Sequence, residues 1–186
     1  MIHFDTSSLS RETAAQTLAA WQSRDAELRL AMREPGVARP EQVAGLSGLQ
    51  VFEAMFRGEL PYPPIARTLD FGVAHVSHGR ADFLGRPSFA HYNPLGSVHG
   101  GWIATLLDSA VGCAVQSMLP QGTGYTTLEL KVNLIRALTD KTGPVRAEGK
   151  VIQVGRSVGI AEGRLFDVDG KLYAHATTTC LVFPLP

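Results

Sequence analysis

A chain of 186 residues with 45% hydrophobic side chains can bury one sizeable core plus a modest extension, so two folded domains are not expected. Its 17 basic and 17 acidic residues cancel, which leaves no global field to draw it to nucleic acid or to an anionic membrane; an anionic ligand must be held by a few local groups. Cys113 and Cys180 form no CxxC pair and read as small core residues of a reducing compartment, and Met1–Ser8 offers neither the basic nor the apolar region of a secretory signal, so the cytoplasm is the expected location.

Residues 10–33 are rich in helix formers and stop at Glu34-Pro35-Gly36, with Ala14, Leu18, Trp21, Leu28 and Met32 as an irregular apolar face. A second helix begins at Ser47, where Ser47-Gly-Leu-Gln50 fits a capping box and Val51, Phe52, Met55 and Phe56 follow on one side. Arg57–Pro64 ends it, and Pro61, Pro63 and Pro64 predict an extended, stiff linker. Residues 1–60 therefore read as a helical extension and 61–186 as the main domain. Phe71, Val73 and His75 then alternate with smaller residues, and Ser77-His78-Gly79-Arg80 predicts a turn back into a strand at Ala81–Leu84.

The stretch His91–Asp108 is a loop of turn formers, Asn93-Pro94 and Gly96, running through His99-Gly100-Gly101 into a helix predicted over Trp102–Met118. That helix is apolar almost all round, except for a stripe of Thr105, Asp108, Ser109, Gly112 and Gln116. Asp108 is the only charge between His99 and Gln121. Spacing alone leaves two readings open. The stripe is solvated, or Asp108 works together with the helix's first amides near Gly100 and Gly101, which lack intrahelical partners and favour a developing oxyanion.

Pro120–Gly124 closes the helix, and a long alternation follows: Leu128, Leu130, Val132 and Leu134 on one face, Thr127, Glu129, Lys131 and Asn133 on the other. Strands at 144–154, 157–166 and 171–183 are joined by connections short enough to make them antiparallel neighbours. One very apolar helix among six strands needs a sheet that curls around it, an α+β architecture. Asp167-Val-Asp-Gly170 lacks the ligand ladder of a calcium loop and reads as a hairpin turn. The six histidines include no HExxH, and no metal is expected. Gly155-Arg156-Ser157 is either a solvated hairpin tip or a local cation and hydroxyl for a phosphate.

From about Leu60 onward the chain resembles the hot-dog-fold acyl-CoA thioesterases of the PaaI-like, phenylacetate-degradation type. The resemblance rests on Asn93-Pro94-Leu95-Gly96-Ser97-Val98-His99-Gly100-Gly101, on Ala104–Asp108, and on Thr126-Thr127-Leu128-Glu129-Leu130. It implies a six-stranded antiparallel sheet wrapped around the helix, dimers whose sheets join, sites at the subunit interface, often tetramers, and no cofactor beyond the acyl-CoA substrate. It assigns Asp108 as the carboxylate that activates water or attacks the thioester carbonyl, the Gly100 N–H as the group that polarises that carbonyl, and Asn93 as a hydrogen-bond partner of the thioester or the water. Thr127 positions the water, with Thr126 beside it as a possible substitute in register. His99 and Gly101 shape the substrate loop, and Gly155, Arg156 and Ser157 are candidates to hold the CoA phosphates. A dimer paired edge to edge would bring Thr127 of one subunit towards Asp108 of the other. The rival readings are an acyl-CoA-binding module that does not cut its ligand and a hydratase or dehydratase on the same fold; the presence of Asp108, Asn93 and the glycine loop together favours the hydrolase.

Overall fold

The computed structural model describes residues 14–32 and 34–185; the expectations for Met1–Ser8, for the first turn of the leading helix and for Arg33 lie outside them. The elements run α1 (Ala14–Ala31), α2 (Pro40–Val43), α3 (Gly48–Phe56), α4 (Pro64–Thr68), β1 (Phe71–Ser77), β2 (Arg80–Gly85), α5 (Gly100–Gln116), β3 (Thr123–Leu134), β4 (Val145–Val154), β5 (Val158–Asp167) and β6 (Leu172–Pro184). The strands form one six-stranded antiparallel sheet in the order β1-β2-β4-β5-β6-β3, wrapped around α5. This is the hot-dog fold.

The sheet curls because α5 is apolar on nearly every side. Leu106, Leu107, Ala110, Val111, Ala114 and Val115 all have 0% exposure, and an apolar helix is stable in water only where something covers each face. Close approach is bought by glycine: Gly149 on β4 and Gly163 on β5 are register partners, and a Cβ on Gly149 would lie 2.1 Å from the carbonyl oxygen of Ala110. The absent side chains let the sheet meet the helix backbone directly.

Two sequence expectations are corrected here. Tyr62-Pro63-Pro64 does not continue as an extended linker, because Pro64 starts the short helix α4; proline suits the first helical position, where an amide hydrogen has no partner to lose. Helix α5 begins at Gly100 rather than Trp102, since His99, with extended backbone, caps it by accepting the Gly101 N–H at Nδ1, 2.8 Å away. The capping box at Ser47 forms as expected: Ser47 Oγ accepts from Gln50 N at 3.4 Å and Gln50 Oε1 from Ser47 N at 2.8 Å.

The two sheet edges differ. Along β1, α1 packs with Trp21, Leu28 and Met32 buried, and Arg24 Nε donates to the carbonyl of Ala74 at 2.8 Å, at the irregularity between Val73 and His75. The β3 edge has no such cover among the described residues, and Leu128 and Leu134 on it are 61% and 56% exposed. No helix among the described residues is long and apolar enough to cross a membrane.

Candidate active site

In the polar stripe of α5, Thr105, Asp108, Ser109 and Gln116 are half-buried and Gly112 is buried. The curled sheet leaves a slot between its edges, and Asp108, Ser109 and Gln116 line a cavity of about 260 Å³ there, with Tyr125 and Thr127 from β3 opposite. Asp108 is half-buried, and the Thr127 hydroxyl donates to its Oδ1 at 3.1 Å. Gly112, lacking a Cβ, lets the Tyr125 ring lie against the helix, where a Cβ would stand 3.1 Å from it.

Thr127 arrives by way of a β-bulge. Thr127 pairs with Cys180 and Glu129 with Thr179 on β6, so Leu128 is an extra residue. Its insertion shifts the alternation by one: Tyr125 and Thr127 face the helix before the bulge, and Leu130 and Val132 pack on the core after it. The expectation that Leu128 shares a face with Leu130 and Val132 is therefore corrected, as Leu128 is 61% exposed while those two pack on the core. Thr126 is exposed and pairs with Leu181, on the side of the strand away from Asp108. The expectation that Thr127 meets Asp108 from a second subunit is corrected too: the two meet within one chain, because the curl carries β3 back over α5.

Behind Thr127, the Cys180 thiol is in hydrogen-bonding contact with it and with Thr178, and burial pushes that thiol above its usual range. On the cavity wall, burial pushes the Cys113 thiol up to about 12, and its neighbour Tyr125 is likewise held protonated by burial. Neither supplies an anion near neutral pH. Among the described residues, Asp108 is the only charged side chain lining this cavity.

Asn93 and Gly100 sit elsewhere, in a second cavity of about 240 Å³ with Ile103 and Leu134–Leu138. Asn93 Oδ1 accepts the amides of Leu95 and Ser97 at 2.9 and 3.3 Å, and Nδ2 donates to Ser97 Oγ at 3.1 Å. One Nδ2 hydrogen remains for another acceptor. The loop is further fixed by His91, whose ring stacks on Trp102 with centroids 5.2 Å apart, and by Trp102 Nε1, which donates to the Leu69 carbonyl at 2.7 Å. The Gly101 N–H is consumed by the His99 cap, whereas the Gly100 N–H has no hydrogen-bond partner among the described residues. Gly155, Arg156 and Ser157 lie exposed at the β4–β5 turn, and no ion pair holds Arg156 among the described residues. No three His, Cys, Asp or Glu side chains among the described residues converge as metal ligands.

A sequence profile of the Thioesterase superfamily matches residues 95–174, the segment that carries the loop from Leu95 onward, α5, Thr127 and the turn at Arg156. A Saccharolobus solfataricus protein provisionally named an esterase is 34% identical over 113 residues, which are 60% of this chain and 78% of that one. The chain belongs to the thioesterase superfamily. A Halobacterium salinarum protein with the same provisional name is 42% identical over 69 residues, 36% of this chain and 44% of that one, so the chain spans less than half the length of that relative. Among solved structures, a phenylacetic acid degradation-related protein of Ralstonia eutropha, provisionally named a thioesterase, superposes with a TM-score of 0.64 at 33% identity, over 70% of this chain and 98% of that one. This superfamily member is thus PaaI-like in sequence and in fold.

Several lining residues escaped the sequence reading. Tyr125 could have been found two positions before Thr127 on the same strand face. The contributions of Phe52, Met55, Tyr62 and Ile65 to the Asp108 cavity had no sequence signal, since their distance along the chain says nothing of where α3 and α4 dock.

Proposed function

We propose that the protein hydrolyses an acyl-CoA thioester to the free acid and CoA, working as a homodimer or a higher oligomer built from that dimer. The observation that carries this reading is the carboxylate of Asp108, aligned by the Thr127 hydroxyl on the wall of a cavity whose other lining side chains among the described residues are uncharged. With Oδ1 occupied by Thr127, Oδ2 is the working atom. Either it attacks the carbonyl carbon, expelling CoA thiolate and leaving an anhydride that water opens, or it takes a proton from the water that attacks.

The Gly100 N–H serves as the oxyanion donor, and Asn93 Nδ2 supports the thioester or the water. Gly100 and Asp108 are eight residues apart on one helix, about 12 Å at 1.5 Å per residue. A nucleophile and an oxyanion donor must both lie about 3 Å from the reacting group. One chain cannot meet that condition, as its two separate cavities also indicate. The carboxylate of one subunit therefore works opposite the Gly100 amide of another, with β3, the edge left without cover among the described residues, as the pairing strand. Arg156, with Gly155 and Ser157, holds CoA phosphate at the surface.

The test is thiol release from a panel of acyl-CoAs. Asp108→Asn keeps the side chain's size and removes its charge, so turnover falls by at least about a hundredfold. A folded Asp108→Asn protein with near-normal turnover would overturn the assignment.

A further inference from the structure

We infer that α3, α4 and the turn between them form the distal wall of the acyl-binding cavity and restrict it to uncharged, apolar acyl groups of limited length, with Met55 as the residue that sets the limit. This rests on the thioesterase reading above and deepens it.

The Asp108 cavity is roofed from outside the segment that the family profile matches. Phe52 and Met55 of α3, Tyr62 of the turn, and Ile65 of α4 line it together with Phe71 and Phe83 of the first hairpin, all upstream of residue 95, where the matched segment begins. Their placement is fixed by α5 itself. The Gly48 N–H, at the start of α3, donates to the carbonyl of Leu119 at 3.0 Å, and a Cβ on Gly48 would fall 1.7 Å from the carbonyl oxygen of Gln116. The N-terminus of α3 is thus seated on the C-terminal end of the helix that carries Asp108. From there α3 crosses the slot between β1 and β3, and Phe52, at 3% exposure, is locked into the wall. Met55, one turn further, is only half-buried. Its flexible thioether is the part of the wall that adapts to a ligand.

Chemistry and volume define the occupant. Apart from Asp108 every lining side chain among the described residues is uncharged, so a second carboxylate on the acyl group would be desolvated with no cation among them to meet it. A volume of about 260 Å³ is less than twice the roughly 150 Å³ apolar cavity that takes one benzene ring, which scales to roughly ten carbons. The acyl group is therefore a straight chain of about that length or less, or a single aromatic ring on a short arm.

The experiment uses the full-length protein with Met55→Ala, Met55→Trp and, as a control on the exposed face of α1, Leu30→Ala. Thiol release is measured for straight-chain acyl-CoAs from acetyl to palmitoyl and for glutaryl-CoA. The affinities of the same compounds are measured by calorimetry in the Asp108→Asn background. Met55→Ala should move the preferred length upwards and raise the ratio of long-chain to short-chain affinity by about tenfold, the usual scale for added room in an apolar pocket. Met55→Trp should move it the other way by a similar factor, with Leu30→Ala matching the parent and glutaryl-CoA binding far more weakly than an uncharged chain of equal length. Shifts of opposite sign are not the mark of general destabilisation. Length profiles that coincide in all variants overturn the wall, whatever the turnover. A wild-type protein that binds the series with the predicted profile but releases no thiol overturns hydrolysis and leaves the wall standing.

Discussion

Leu128 is one residue too many for its strand, and the site depends on it. Strict alternation would place Thr127 opposite to Leu130, yet Thr127 meets Asp108 on the inner face while Leu130 packs on the core, because the bulge absorbs the mismatch. The Thr127 hydroxyl has two tasks that a methyl cannot perform, donating to Asp108 and fixing which carboxylate oxygen is free. Thr127→Val is expected to lower kcat by about tenfold to a hundredfold with little change in KM, and Thr127→Ser to recover most of it, measured by steady-state thiol release. At the surface, Arg156 stands free of ion pairs among the described residues. Arg156→Ala should raise KM for acyl-CoA and spare kcat, the signature of uniform binding lost far from the reacting bond; an unchanged KM would move the phosphate site elsewhere.

Among the elements, α5 is held by surfaces without side chains. Gly149 on β4 admits the backbone at Ala110 so closely that a Cβ there would meet both the carbonyl oxygen and carbon, at 2.1 and 2.4 Å. Backbone cannot swing aside as a side chain can, so Gly149→Ala is expected to cost about 3 kcal/mol or more, at the upper end of overpacking. Gly155→Ala is the matched control, since the nearest atom to its added Cβ is 3.6 Å away, and a change within about 0.5 kcal/mol is expected. Denaturant midpoints at equal slope decide it. Because α5 carries both Gly100 and Asp108, a change in its seating should depress activity before the protein unfolds.

In the whole molecule, one helix carries both groups of the proposed reaction, Gly100 and Asp108, about 12 Å apart along its axis. In the proposed two-fold dimer, each site would take the carboxylate of one copy and the amide of the other. Gly100→Pro removes the amide hydrogen at a first helical position, where proline is tolerated. Gly100→Pro and Asp108→Asn proteins should each be nearly inactive alone. After subunit exchange, half of the dimers are mixed and each has one intact site, so the mixture should recover about a quarter of wild-type activity. Activity that stays at the level of the separate variants, with exchange verified by mass, would place both groups of a site in one chain.

Much of this could be read from residue order. The apolar circumference of α5 required a sheet around it, the short connections at Gly155-Arg156 and Asp167–Gly170 required antiparallel neighbours, and a lone Asp108 behind His99-Gly100-Gly101 singled out the candidate site, because these are local patterns of period, turn chemistry and charge. Tertiary structure decided the rest. The pairing of β3 with β6 at the far edge, the bulge that turns Thr127 inward, the cover of β1 by α1, and the docking of α3 and α4 over the Asp108 cavity all join residues distant in the chain. Such contacts arise from shape and buried area shared between elements, and no single stretch of sequence carries that information.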